Sequence, residues 1–156
     1  MADESFFPPP AFAFSVAVIP DDDKVPAATD AVFQEISGLD PKMDALENEE
    51  GGHNRFVHRL PGVATHPNLV LKRGLVTIGS ELAKWSEATI GSTLGTPITT
   101  RTITIVLVGP DGKSLMTWTV LDAWPVKWEV GSLDAANATR IITEKLELSY
   151  RSLTRA

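Results

Sequence analysis

The chain of 156 residues contains no cysteine and only three histidines. Without cysteine it has neither a disulfide framework nor a thiolate zinc site, and a cysteine nucleophile is excluded as well. No run approaches the ~18 consecutive apolar residues that a membrane-spanning helix requires. The chain begins Met-Ala-Asp-Glu, without the basic segment that precedes the apolar core of a signal peptide. We therefore expect neither Sec-type export nor membrane insertion.

Positive charge is also scarce, since 14 Lys and Arg stand against 20 Asp and Glu, for a net charge of −6. Proteins that wrap nucleic acid depend on clustered Lys and Arg, so the composition argues against such a surface. A chain of this length favours one domain and buries roughly 70% of its unfolded surface. We therefore predict a single domain, 1–156, held together by packing alone.

Motifs for catalysis or ligand binding are weak. The segment 109–114 (GPDGKS) ends like a phosphate-binding loop, but two residues instead of four separate its glycines and a strand follows, so we interpret it as a hairpin turn. His53, His58 and His66 match no helical metal spacing, and we interpret them as surface or interface residues rather than a zinc site. No Gly-x-Ser-x-Gly nucleophile elbow occurs. The sequence predicts no enzyme, no cofactor and no metal.

Alternating hydrophobicity predicts strands over most of the chain. Consecutive prolines predict an extended arm at 1–11, and three acids with Pro26 predict an acidic loop at 20–31. The ENEEGG run predicts a long hairpin at 47–58, because its glycines tolerate positive φ. The predicted strands are 11–18, 32–36, 44–47, 55–59, 68–72, 101–108, 114–121, 126–130 and 141–150.

One helix is expected. Ser80 is a favoured N-cap, Glu81 suits the positive end of the helix dipole, and Leu82, Trp85 and Thr89 form one stripe before Gly91. Near the end of the chain, Pro125 predicts an edge, a bulge or a bend. The long amphipathic strand at 101–108 is expected to leave an edge that must be paired or protected.

Three segments in this order carry a family resemblance: 49–74 (EEGGHNRFVHRLPGVATHPNLVLKRG), 116–128 (MTWTVLDAWPVKW) and 144–150 (EKLELSY). Together with the opening 8–16, the FQEISGL segment at 33–39 and the helix around Trp85, they resemble the tail tube proteins of contractile phages and phage-like injection systems. The resemblance implies a mainly β fold, a small barrel or sandwich of antiparallel strands with one flanking α-helix, as in phage tail tubes and the type VI secretion tube protein.

The resemblance also implies a function. Such subunits form hexameric rings that stack into a hollow tube, and sheath contraction drives the tube through a target envelope. The implied partners are other copies of the chain, the sheath, the baseplate or hub, tube-terminator proteins, and a lumen cargo of DNA or effector protein. Assembly in the cytoplasm and release as a particle are expected. A tube initiator or adaptor at the baseplate remains an equal alternative, and so do a phage and a cell-encoded system.

The hairpin 49–59 resembles the long loop that family members use to contact adjacent subunits or the next ring. The residues predicted at this subunit interface are Glu49, Glu50, Gly51, Gly52, Asn54, Arg55, Arg59, Lys72 and Arg73. A rival hypothesis from another class is a monomeric ligand-binding β-barrel, with a cavity lined by tryptophans. We instead assign the tryptophans to the core or to subunit contacts; they are Trp85, Trp118, Trp124 and Trp128. An enzyme ranks third, and only a turnover lost on changing a histidine would support it.

Overall fold

The structure is a computed structural model that describes residues 13–19, 28–48, 58–75, 80–92, 95, 97–132 and 141–156. The proline-rich arm 1–11, most of the acidic loop and the hairpin tip 49–57 lie outside these residues. The described elements are β1 (Ala13–Ile19), β2 (Ala28–Phe33), β3 (Glu35–Ser37), β4 (Lys42–Asn48), β5 (His58–Thr65), β6 (Leu69–Gly74), α1 (Glu81–Ile90), β7 (Arg101–Val108), β8 (Ser114–Val130), β9 (Thr143–Ser149) and β10 (Ser152–Arg155).

The strands are antiparallel and follow the order β2-β1-β7-β8-β9-β6-β3, with β10 beside β8. The long strand β8 belongs to two sheets. Its first part pairs with β7 and β10, and with β1 and β2 these form sheet A. Its second part pairs with β9, and with β6 and β3 these form sheet B. The mainly β class with one helix is confirmed, as a sandwich rather than a closed barrel.

The passage of β8 between the sheets depends on two local features. Asp122 has a φ of 51°, a left-handed conformation that Asp tolerates better than most residues. Three residues later the pairing with β9 slips between Pro125 and Lys127, which is a β-bulge. The bulge or bend predicted at Pro125 is therefore confirmed, although the strand continues through it.

Three strand predictions need correction. The loop predicted at 20–31 is wrong for 28–31, which lie in β2, because pairing with β1 from Val18↔Ala28 onwards supplies hydrogen bonds that override their weak strand propensity. The strand predicted at 32–36 is split at Gln34, so that β2 joins sheet A and β3 joins sheet B. Strand β7 is not an edge, because β1 and β8 pair with its two sides.

The inner faces of both sheets share one core. Val16, Ile103 and Ile105 from sheet A meet Leu71 and Leu148 from sheet B, and all five are fully buried. Removing each such side chain from water is worth about 1.5–3 kcal/mol. The alternation that predicts these faces is confirmed in β1, β6, β7 and β9.

Helix α1 closes one side of this core by burying Leu82 and Trp85. Its predicted N-cap is confirmed, since the Ser80 hydroxyl accepts a hydrogen bond from the Ala83 amide at 3.1 Å. The Trp85 indole donates to the Thr99 carbonyl at 3.0 Å, which satisfies its only polar atom.

Candidate assembly surface

The described residues on either side of the predicted hairpin 47–58 pair with each other and not with the sandwich. Strands β4 and β5 pair only with each other and form a separate two-stranded sheet among the described residues. Large apolar side chains on it are exposed, with Met43 at 59%, Leu46 at 60% and Val63 at 82%. A two-stranded hairpin is at best marginally stable in water when nothing covers it. This hairpin is therefore the part of the described chain with the clearest need for a partner.

The second hairpin strand differs from its predicted bounds. Its described part, His58–Thr65, extends past the predicted end at residue 59 and includes Pro61. Pro61 pairs with Ala45, and the register of the two strands shifts between Met43 and Ala45, beside this pair. Proline is tolerated here because the ladder is irregular at this point and because the strand has a neighbour on one side only.

The base of the hairpin is fixed by backbone geometry and one side chain. Gly38 has a φ of 88°, and a Cβ there would lie 2.0 Å from the Asn68 carbonyl oxygen. The Tyr150 hydroxyl donates to the Gly38 carbonyl at 2.8 Å. Burial, with a smaller effect of the nearby Asp40 carboxylate, raises the pKa of Tyr150 above its usual range. Gly38, Asn68 and Tyr150 thus fix the two points at which the chain leaves sheet B after β3 and returns to it at β6.

The residues predicted at the subunit interface fall into three groups. Arg59 lies on the exposed hairpin, 3.2 Å from Glu47. Lys72 lies on the outer face of sheet B, 3.2 Å from Glu35. Six others form the second group and lie outside the described residues: Glu49, Glu50, Gly51, Gly52, Asn54 and Arg55. Arg73 forms the third group. The interface role of all these residues remains a prediction.

Arg73 has a different position, inside the subunit. Its side chain is only 3% exposed, and its Nε donates to Glu144, which is buried too. Its Nη2 donates to the Ser80 hydroxyl at 2.8 Å, and its Cζ lies 5.0 Å from the Phe33 ring centroid. Arg73 therefore joins strand β9 to the start of α1. Alternation places Glu144 on the inward face of β9, but only the register with Arg73 shows its partner.

The outer face of sheet B carries a row of charges across four strands. The register aligns Glu35 with Lys72, Lys72 with Lys145, and Lys145 with Glu129. Lys127 lies 2.6 Å from Glu129, and this hydrogen bond lowers the pKa of Glu129 and raises that of Lys127. The face encloses a shallow concavity of about 680 Å³. This row of charges cannot be predicted from the sequence of each strand alone, because its members lie on four strands and only the pairing register aligns them.

Strand edges are the remaining assembly feature. Within the described residues, no strand pairs with the outer edges of β2 and β3. The second part of β8, Trp124–Val130, pairs with β9 on one side, and its register with β7 ends at Ala123. Such unpaired edges present donors and acceptors that another chain can complete.

The other predicted chemical features are not gathered into a site. His58 lies exposed on β5, whereas His66 is half-buried with its ring centroid 5.2 Å from that of Tyr150. His53 is outside the described residues, and those that are described contain no group of three potential metal ligands. The segment 109–114 forms the predicted hairpin turn, in which Gly112 has a φ of 76°. No described helix has the length and apolar character needed to cross a bilayer.

The family model and the solved structures that match the chain point to the same kind of protein. The family model of T4-like virus tail tube protein gp19 matches residues 10–154. A chain in the cryo-EM structure of the anti-feeding prophage (AFP) baseplate is 27% identical, with a TM-score of 0.79 over 96% of both chains. A chain in the sheath-tube complex of PVC, an extracellular contractile injection system in its extended state, is 29% identical, with a TM-score of 0.74 over 97% of this chain and 93% of that chain.

Among the curated proteins, no sequence matches the chain. More distant structures share the fold alone, such as Hcp1 from Flavobacterium johnsoniae, with 15% identity and a TM-score of 0.52 over 93% of this chain and 95% of that one. Because the family model covers nearly the entire sequence, the chain belongs to the T4-like virus tail tube protein gp19 family, as its resemblance predicts, and is a tube protein of contractile injection systems.

Proposed function

We propose that the protein is the structural subunit of the hexameric inner tube of a contractile phage tail or a phage-like injection system. Copies form rings, the rings stack into a hollow conduit, and contraction of a surrounding sheath propels the conduit. The similarity to a chain of the PVC sheath-tube complex supports this role.

The exposed hairpin β4–β5 carries the proposal. Four large apolar side chains on it are more than half exposed: Met43, Leu46, Leu60 and Val63. Exposing apolar side chains to water is unfavourable, and a lone hairpin has no core in which to bury them. Contact with a neighbouring subunit or ring would bury these side chains. The predicted interface residue Arg59 lies on the same hairpin, so its ion pair with Glu47 would be partly desolvated by that contact.

Ring closure uses the unpaired edges. A head-to-tail contact in which one edge meets a different edge of the next copy generates a closed ring when the rotation fits. Such pairing completes the backbone hydrogen bonds of β2, β3 or the second part of β8. The sheath, the baseplate or hub and a tube terminator are the further partners, with assembly in the cytoplasm and release of the particle.

A second candidate within the same system is the tube initiator or adaptor at the baseplate. It is favoured by the similarity to a chain in the AFP baseplate structure. The two roles differ in self-propagation. A main tube subunit stacks on copies of itself, whereas an initiator forms single rings that grow only when the main tube protein is added.

The test is negative-stain microscopy and sedimentation of the purified chain over a range of concentrations. We expect six-fold rings and, for a main tube subunit, long tubes. A triple variant Met43→Ser, Leu46→Ser, Val63→Ser should keep the circular dichroism of the folded subunit and lose assembly. The matched control Ile90→Ser removes an exposed apolar residue from the end of α1 and should assemble.

A compact monomer at every concentration would contradict the proposal. If that monomer also showed a saturable change in tryptophan fluorescence with a small ligand, the rival hypothesis of a monomeric ligand-binding protein, stated above as a β-barrel, would replace it. Normal tubes from the triple variant would show that the hairpin is not an assembly contact.

A further inference from the structure

We propose that the outer face of sheet B is the wall of the channel, and that its charges neutralise one another so that charged cargo passes without adhering. This inference rests on the proposed tube function. It goes further by assigning one face of this chain to the lumen and by giving that face a defined electrostatic character.

The first argument compares the outer faces of the two sheets. On sheet A, the outward positions of β7 and of the paired part of β8 are uncharged, as in Thr102 and Thr104 of β7 and Thr117 and Thr119 of β8. On sheet B, the outward positions carry charges on all four strands. Burying charges against another protein costs free energy, and interface centres are depleted of them. The face of sheet B is therefore the one that should stay in water after assembly.

Curvature distinguishes the lumen from the outside of a tube. The wall of a channel is concave toward its axis, and the outer surface of a tube is convex. The charged face of sheet B contains an open hollow of about 680 Å³, lined by residues from Glu35 on β3 to Glu129 on β8, which suits a surface facing a water-filled channel. The opposite face of the same sheet contributes Leu71, Leu146 and Leu148 to the core, on which α1 packs. This orientation leaves β3 and the second part of β8 at the lateral borders, where neighbouring copies continue the sheet.

The second argument concerns the balance of charge on this face. Each lysine is paired: Lys72 with Glu35 at 3.2 Å, Lys127 with Glu129 at 2.6 Å, and Lys145 with Glu147 at 3.1 Å. The three lysines and three glutamates sum to zero, whereas the whole chain carries −6. Because the partners in each pair are much closer than the Debye length of about 8 Å, their fields largely cancel within the channel.

The pairs have little value as stabilisers, which is consistent with an electrostatic role. Exposed ion pairs contribute little to stability because water screens them and ordering the side chains costs entropy, and these side chains are partly exposed to water. In a channel, however, an unpaired row of lysines would bind phosphates along its whole length. An unpaired row of glutamates would hold basic polypeptides in the same way. Pairing each lysine with a glutamate avoids both effects.

The location of the face is tested by thiol labelling. Because the chain has no cysteine, Lys145→Cys introduces a single thiol on this face, and Lys84→Cys introduces one on α1. Each variant is treated with a small maleimide dye and with a long polyethylene-glycol maleimide, both as dissociated subunits and as tubes. In tubes, we expect the Lys145→Cys thiol to react with the dye and to be protected several-fold from the polymer, which enters only at the ends. The Lys84→Cys thiol should react with both reagents.

The outcomes separate this inference from the proposed function. Failure of the unlabelled chain to form rings or tubes refutes the proposed function. Tubes in which the polymer labels Lys145→Cys at the rate seen in free subunits place the face outside and overturn the inference alone. Protection from both reagents would make the face a subunit contact and would overturn it as well.

The electrostatic part is tested with a double variant, Glu129→Gln with Glu147→Gln, which leaves Lys127 and Lys145 without their carboxylate partners. Tubes of this variant should retain several-fold more of a fluorescent single-stranded oligonucleotide than wild-type tubes on co-sedimentation, and rising salt should release it. The control variant Glu81→Gln with Glu87→Gln makes the same change of charge on α1 and should not retain it. Equal retention by wild-type and variant tubes would refute neutralisation as the function of these pairs.

Discussion

Arg73→Met is expected to destabilise the subunit itself rather than its assembly. The Arg73 and Glu144 side chains are 3% and 8% exposed, so removing the guanidinium leaves a carboxylate buried without its partner. Removing one member of such a pair costs about 3–5 kcal/mol, a large part of the total stability of a small domain. The Ser80 hydroxyl also loses the hydrogen bond from Arg73, although it still caps α1 through the Ala83 amide.

The measurement is urea unfolding followed by tryptophan fluorescence, because Trp85 and Trp118 pack in or against the same core. The double variant Arg73→Met with Glu144→Leu is the control. It replaces both charges with apolar groups and should recover most of the loss, since a buried ion pair is often no more stabilising than well-packed hydrophobic residues. The cycle of single and double variants isolates the coupling between the two side chains.

The result that would refute this reasoning is specific. If Arg73→Met unfolds at the wild-type urea concentration but forms no rings, then Arg73 acts between subunits, as the sequence alone predicts, and its internal ion pair is incidental. If the variant unfolds early and still forms rings at low temperature, its role lies within the subunit.

Four further changes test the core, the hairpin and its base. Leu146→Ala should lower the free energy of unfolding by about 2–5 kcal/mol, since Leu146 is 5% exposed in the core; a neutral result in urea would contradict this burial. Arg55→Glu and Arg59→Glu should impair ring formation by sedimentation while leaving unfolding unchanged, because charge reversal at a partly desolvated contact costs more than at an exposed site; normal rings from both would remove them from the interface. Gly38→Ala should cost more than about 1 kcal/mol in urea, given its φ of 88° and the Asn68 oxygen 2.0 Å from the added Cβ, and full stability would refute the strain. Tyr150 is the only tyrosine, so tyrosinate absorbance reports its titration, and we expect a midpoint above the ordinary pKa of 10.0. The stabilisation that comes from the neutral hydroxyl is fully present below pH 10.0 and should be lost as the pH rises through the raised pKa. A midpoint at or below 10.0 would contradict the burial of Tyr150.

Local features of the fold can be predicted from the sequence where one segment determines them. The cap at Ser80 and the turn before Lys113 depend on residues a few positions apart, and the structure confirms both. The inward residues of β7 and β9 follow from alternation alone. In each case the relevant interaction is short in sequence, so propensity and periodicity are sufficient.

Features that depend on long-range pairing cannot be predicted in this way. Residues 28–31 form a strand because β1 lies beside them and pairs with them. Strand β10 forms because Ser152–Arg155 pairs with the first part of β8, after β9 has paired with the second part. The position of Arg73 is the clearest case. Its sequence context, Lys72-Arg73-Gly74 at a strand end, is that of a surface turn. Alternation with Leu71 points the side chain inward, and Glu144 is 71 positions away.

The sandwich and the hairpin are therefore stabilised in different ways, and this difference bears on assembly. Sheets A and B bury a common core and, among the described residues, leave only their outermost strand edges unpaired. The hairpin buries little, yet its base is fixed by Gly38 and by the hydrogen bond from Tyr150. A hairpin on a flexible attachment would lose more conformational entropy when it docks on another copy. A fixed base restricts the hairpin already in the free subunit, so less entropy is lost on docking. If this reasoning is correct, Tyr150→Phe should weaken ring formation more than it lowers subunit stability, which loses only one hydrogen bond of about 0.5–1.5 kcal/mol.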